Sequence, residues 1–224
     1  MPIPPKVTEQ VPKTIRERVY NELRKWIIDG TLKPEEKIYD MELATYFSTS
    51  RTPVREAIQL LADQKLIEIY PGKETIVAPI HLEEVHSLCQ IAAELHVLAL
   101  EFAYPHITRR ELDQLKQYNQ NLLRALRFGD SSAASLADNQ FHNTIVTLSS
   151  NYFIQEFTRI LSGHIQRLQL IDNPSLNLMG KHQDSVQEHA KIIDALENHD
   201  LEAAKESMRH NWIHIIEVAE QGQI

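Results

Sequence analysis

The sequence predicts a mainly α protein in two parts: three short helices with a small β-hairpin, then an all-α antiparallel helical bundle. Three observations carry this reading. Apolar residues return at helical spacing along most of the chain, strand-like runs flank a single Pro71-Gly72 turn signal, and the composition changes near residue 80. With only 6 glycines and 7% aromatics in 224 residues an all-β fold is disfavoured, while 42% apolar residues can build real cores.

The net charge of −8 is unevenly placed. Residues 1–80 hold 12 Lys/Arg and 12 Asp/Glu, whereas residues 81–224 hold 11 against 19 and all 11 histidines. A neutral, histidine-free part is thus joined to an acidic, histidine-rich one, with the division at Pro79-Ile80-His81. The single Cys89 excludes an internal disulfide and, within the apolar run SLCQIAAEL, reads as a buried, inert thiol. No apolar stretch approaches the roughly 20 residues that span a bilayer. The start MPIPPKVTEQVPK lacks a signal-peptide core, so a cytoplasmic protein that does not enter membranes is expected.

In the first part, Ile15, Val19, Leu23, Trp26 and Ile27 mark one amphipathic helix that Gly30 ends, and LKPEEKI reads as a connection. Asp40 reads as the cap of a second helix, MELATYF, with Leu43 and Phe47 inward. Thr52 and Pro53 read as the N-cap and first residue of a third, whose stripe is Val54, Ala57, Ile58 and Leu61. LIEIY and TIVAPI around Pro71-Gly72 form the hairpin. Three helices followed by a hairpin make a winged helix-turn-helix.

That stripe turns Thr52, Arg55, Glu56 and Gln59 to the opposite face, with Ser50 and Arg51 just ahead of it. Two guanidiniums and small hydroxyls then stand at the tip by which such a helix meets base edges in the major groove of double-stranded DNA. An arginine fork bonds guanine O6 and N7 together, worth about 1–3 kcal/mol against a wrong base. Gly72 and Lys73 at the hairpin tip suit the backbone or minor groove.

The segments LRKWIIDGTLKPEEKI, MELATYF and STSRTPVREAIQLLADQKLIEIYPGKETIV closely resemble the GntR-family winged-helix domain, over about residues 14–78. The resemblance implies DNA contact through Ser50, Arg51, Thr52 and Arg55, with Gly72 in the wing. Two departures stand out: Met41 replaces an arginine frequent in the FadR branch, and Glu35 replaces the usual glycine after LKP.

From Leu82 onward six helical segments are expected, over about 82–104, 108–129, 131–149, 151–172, 178–198 and 200–220. The expected organisation is a flexible N-terminus (1–13), a DNA-binding domain (14–78), a linker (79–81) and an effector-binding and dimerisation bundle (82–220). ADNQFHNTIVTL sets Asp138 and His142 four apart on one helical face, and QEHAKIIDAL carries His189 on the face of Val186, Ile193 and Leu196. A carboxylate and imidazoles inside a bundle have the donor types for Zn²⁺ or Ni²⁺, although an inward histidine is also commonly a hydrogen-bonded core residue.

DNQFHNTIVTLSSN, EHAKIIDALENHD and EAAKESMRHNW resemble the FCD effector domain of FadR-branch regulators, over about residues 82–220, and the six-helix count resembles the VanR-like subgroup. The resemblance implies a divalent metal held by Asp138, His142 and His189, with a small organic acid docked beside it. The family's fourth ligand, a histidine, falls on Asn211, with His210 one residue early. The stripe Leu201, Ala204, Met208, Trp212 and Ile215 places Asn211 at its edge and His210 away from it. Asn211 is therefore the candidate fourth residue, as an oxygen ligand or a hydrogen-bond partner. Gln90 stands where the family often has an effector-binding arginine, four before Glu94, and His182 shares the face of His189. Both are candidate pocket residues, and for His182 a structural role is an equal alternative.

The expected function is a homodimeric, ligand-responsive DNA-binding regulator, a repressor more often than an activator, on a pseudo-palindromic operator. The alternative is a metal-dependent hydrolase using Asp138, His142 and His189. It needs a placed general base as well as a metal, and no residue pattern supplies one.

Overall fold

Thr14 opens the first helix, α1 (Ile15–Ile28), through a capping box: its hydroxyl accepts from the Glu17 amide at 3.1 Å while the Glu17 carboxylate accepts from the Thr14 amide at 2.9 Å. The structure, a computed structural model, describes residues 14–81, 84–168 and 178–221, with side chains except at 85, 178–183 and 214–221. The expected flexible N-terminus, residues 1–13, lies outside the described residues. The chain divides between Pro79 and Ile80 into two compact units, each with its own apolar core.

In the first unit α1 buries Val19, Leu23 and Ile27, while Ile15 in its opening turn is exposed. A short helix α2 (Asp40–Tyr46) buries Ala44 and is followed by the buried Phe47. Helix α3 (Arg51–Asp63) inserts Val54, Ala57, Ile58 and Leu61 against these, as its 3.6-residue period requires. Strands β1 (Ile67–Ile69) and β2 (Thr75–Val77) pair antiparallel with Ile67 opposite Val77.

The segment read as a mere connection does more. The Glu35 amide donates to the Val77 carbonyl at 2.9 Å, the Val77 amide to the Glu36 carbonyl at 2.9 Å, and the Ile38 amide to the Thr75 carbonyl at 2.8 Å. Residues 35–38 thus cover the free edge of β2, with Lys37 bridged to Ile76. Glu35 itself has φ of 66°, the left-handed region that suits the glycine it replaces. Glu35→Gly is accordingly expected to stabilise the full chain by about 1 kcal/mol, read as a higher urea midpoint.

The second unit is a bundle of six described helices: α4 (Val85–Ala103), α5 (Arg109–Arg127), α6 (Ser131–Leu148), α7 (Tyr152–Arg167), α8 (Leu178–Glu197) and α9 (Leu201–Gln221). Their starts carry side-chain caps where the sequence offers them. Thr108 and Glu111 form a capping box, Asp130 accepts from the Ala133 amide, and Asn151 from the amides of Phe153 and Ile154. Helix α4 packs on α6, α7 and α9, and α8 packs on α5 and α9. The core between them contains Leu100, Leu115, Phe141, Ile145, Ile192 and Met208. Cys89 is buried in it without a disulfide. Ala204, Met208 and Trp212 of the α9 stripe are buried and Leu201 is half-buried, while the Ile215 side chain lies outside the described residues.

Candidate nucleic-acid interface and metal centre

Burial of the α3 stripe leaves Arg51, Thr52, Arg55, Glu56 and Gln59 exposed on the opposite face. The helix begins two residues earlier than Thr52-Pro53 suggests: Ser50 is its N-cap and Pro53 lies in the first turn, where a missing amide costs no helical bond. The start of α2 differs too. Its N-cap is Tyr39, with no side-chain cap bond, and Asp40 is the first helical residue. The Asp40 carboxylate turns to α3 instead. It accepts from Arg51 Nη2 at 2.9 and 3.0 Å and from Arg55 Nε at 2.5 Å. Although burial alone would raise it, the hydrogen bonds and charges of Arg55 and Arg51 hold the Asp40 carboxyl below the usual range.

Both arginines stay open to solvent, with 52% and 62% of their side chains exposed. A cleft of about 750 Å³ runs from Asp40, Arg55 and Gln59 to Gly72 and Lys73 of the wing. Gly72 has φ of 72° and open space where a Cβ would stand, so a polymer backbone can come close there. Gln59 donates to Asp63 at 3.0 Å along the helix, and Met41 is exposed at the start of α2. This cleft brings Arg55 and Gln59 together with the wing tip, and Asp40 ties Arg51, between Ser50 and Thr52 in the chain, to Arg55.

In the bundle, α6 supplies Asp138 and His142, one turn apart, and α8 supplies His189. His142 Nε2 and His189 Nε2 are 3.3 Å apart, and His189 Nε2 lies 3.7 Å from Asp138 Oδ1. One ligand atom from each residue falls within 4.8 Å of the others. Ligands bonded at about 2.0–2.2 Å to a tetrahedral ion stand roughly 3.3–3.6 Å apart; the imidazole pair falls in that range and the His189–Asp138 separation just beyond it, and the donor types suit a borderline divalent ion. Phe141 stacks on His189, with centroids 3.7 Å apart and planes 7° from parallel, which fixes the imidazole plane. His189 is fully buried, whereas 22% of the Asp138 side chain is exposed.

Asn211 is buried, as its helical phase predicts, and its Nδ2 donates to Glu188 Oε2 at 2.7 Å. His210 is exposed but not simply solvated, because its Nδ1 pairs with Glu188 Oε1 at 2.9 Å. Glu188 thus sits buried beside His189 with two partners from α9. Gln90 must be corrected. It is exposed on the outer face of α4, because the inward stripe is Cys89, Ala92, Ala93 and His96. The His182 side chain lies outside the described residues.

His96 was missed by sequence reasoning, although its spacing from Cys89 and Ala93 signals an inward position. Its ring lies 4.6 Å from that of Trp212 and 5.1 Å from that of His142. Burial, and secondarily His142, hold it well below the usual imidazole value of 6.5. Folded His96 is therefore neutral where unfolded His96 would take a proton. Stability falls as pH drops below 6.5, by at most about 1.4 kcal/mol per unit until the folded group also titrates. His96→Phe keeps a ring against Trp212. It is expected to narrow the gap between urea midpoints taken with chelator at about pH 7 and about pH 5.5.

A winged helix-turn-helix with an exposed arginine tip, followed by a helical unit with a largely buried Asp/His/His cluster, is the build of a DNA-binding regulator. Comparison with known proteins agrees. Residues 15–77 match the family described as bacterial regulatory proteins, gntR family, and residues 87–213 match the FCD domain. The chain belongs to the GntR family of transcriptional regulators, in the group that carries an FCD domain.

One relative is the uncharacterized HTH-type transcriptional regulator YdhC of Bacillus subtilis, 28% identical over 211 residues that cover 91% of this chain and 92% of the relative. Another is the HTH-type transcriptional repressor RspR of Escherichia coli, 23% identical over 206 residues, covering 92% and 88%. The fold is shared with the solved structure of E. coli McbR/YncC at a TM-score of 0.74 and 20% identity, covering 94% of this chain and 99% of that one. The family is one of regulators, not enzymes, and the hydrolase alternative falls with it.

Proposed function

We propose that the chain is a homodimeric transcriptional repressor that reads a pseudo-palindromic operator through Ser50, Arg51, Thr52, Arg55 and Gln59, with Gly72 and Lys73 in the wing. The observation that carries this reading is the exposed arginine pair at the tip of a helix whose other face is fully packed. Two such tips about one helical turn apart match a two-fold operator. Support for a second copy comes from exposed Ile91, Leu98 and Phe102, spaced seven and four along α4, beside exposed Phe153 and Phe157 on α7. A relative named as a repressor supports the sign of regulation. The cytoplasm is where such a protein meets its DNA, and no described helix is long and apolar enough to cross a membrane.

The second half of the proposal concerns the signal. Asp138, His142 and His189 would hold a divalent ion, with Zn²⁺ or Ni²⁺ the best match to two imidazoles and a carboxylate. Such an ion supplies a Lewis-acid anchor for an oxygen ligand, and a small organic acid is the effector class this favours. Glu188, the residue before His189, keeps Asn211 oriented, and His96 and Trp212 wall the site with neutral rings beside His142. An effector changes DNA affinity only through its differential affinity for two placements of the DNA-binding units.

The test is selection of sites by the full-length protein from a random-sequence duplex pool. The expected product is a two-fold symmetric site whose binding depends on Arg51 and Arg55. Enrichment that is equal for an Arg51→Ala/Arg55→Ala protein would remove the reading.

A further inference from the structure

Asp40 is the residue whose chemistry the DNA-reading surface leaves unexplained. Aspartate at a helix start ordinarily caps the helix, yet here no side-chain cap bond forms. The carboxylate, only 21% exposed, instead receives three hydrogen bonds from two arginines on another helix. One carboxylate thus answers two guanidiniums that are themselves more than half exposed.

We infer that Asp40 is a positioning and specificity-determining residue for DNA, a buttress that aims Arg55 at bases, holds Arg51 beside it and withholds both from phosphates. The inference rests on the reading that these arginines face DNA. Two physical arguments lead to it. With Arg55 Nε tied to Asp40, its two Nη atoms stay available, and one outward hydrogen from each forms the parallel edge that guanine O6 and N7 accept. The arginine also surrenders its rotamer freedom before DNA arrives, so less is lost on binding.

The second argument concerns wrong sites. A guanidinium that swings to a phosphate abandons Asp40, and the carboxylate then faces a polyanion without a partner. Non-specific complexes bear that penalty, whereas a cognate complex keeps the pair. The buttress thus weakens binding to arbitrary DNA and widens discrimination.

The test compares full-length wild-type, Asp40→Asn and Asp40→Glu proteins on a random-sequence duplex pool and on the site that wild type selects from it, across a salt series. For Asp40→Asn, random-pool binding is expected to tighten and its log-log salt slope to steepen by about one. Discrimination is expected to fall about tenfold. Asp40→Glu keeps the charge but displaces it by a methylene, so the slope stays at the wild-type value while discrimination falls. It also carries the test if Asp40→Asn fails to fold, as judged by circular dichroism.

Unchanged discrimination in the folded variants, or a uniform loss on both DNAs at constant slope, would overturn the inference and leave Asp40 a structural residue. The Arg51→Ala/Arg55→Ala protein separates the two ideas. If it still prefers the selected site, the recognition reading itself has failed. If it loses that preference while the Asp40 variants keep theirs, only the buttress has failed.

Discussion

Arg55→Ala is expected to weaken binding to the selected operator by about 1–3 kcal/mol per half-site contact and to relax base preference at one position of each half-site. The size follows from what the proposed reading would lose: a forked donor that would pair with two acceptors of one guanine. Stability should be nearly unchanged, because the side chain is 62% exposed and the helix is pinned by the opposite face. Lys73→Ala provides the contrast. On the proposed reading a lysine at the wing tip would meet backbone, so its loss should weaken all sequences alike and lower the salt slope by about one. Binding measured on operator and random duplex at two salt concentrations distinguishes these patterns. If Arg55→Ala behaves like Lys73→Ala, then α3 docks but does not read.

The second large effect concerns the bundle. Chelator-stripped protein is expected to gain about 4 kcal/mol on addition of Zn²⁺ at a thousandfold excess over its dissociation constant, seen as a melting shift of roughly 10 °C. Asp138→Asn should abolish that shift. It is the informative variant because the side chain is partly exposed and its removal leaves the stack of Phe141 on His189 intact. His189→Ala would instead open a cavity at a fully buried position and confuse metal loss with packing loss. Asn211→His, which places an imidazole where the resemblance implies a fourth ligand, should tighten binding further. A full metal-dependent shift in Asp138→Asn would dismiss the site.

Much of the architecture was legible because amphipathic spacing is a local property. Val54, Ala57, Ile58 and Leu61 announce both the buried face of α3 and, by subtraction, its exposed one. The six bundle helices follow from the same rule, and Asp138 and His142 read as neighbours because four residues make one turn. Elsewhere local rules misled. Asp40 and Thr52 are good capping residues, but the helices start at Asp40 itself and at Arg51. The segment 35–38 has no strand-like pattern, because its role is to hydrogen-bond a β2 edge that the sequence does not advertise.

What lay beyond the sequence is the set of partners between elements. Asp40 meets arginines 11 and 15 residues away, and buried Glu188 is satisfied by two residues of α9, 22 and 23 positions on. A lone charge in an amphipathic run reads as outward-facing, since burial is tolerable only when a partner waits there. The sequence by itself determined the two-part helical architecture, the cationic tip and the ligand-type residues, because each is written in spacing along one element. Only the tertiary structure decided that the tip is buttressed, that His189 closes on α6, and that His96 rather than Gln90 faces inward. Those outcomes depend on how rigid helices dock against one another, and docking is set by whole packed surfaces, not by any short run of residues.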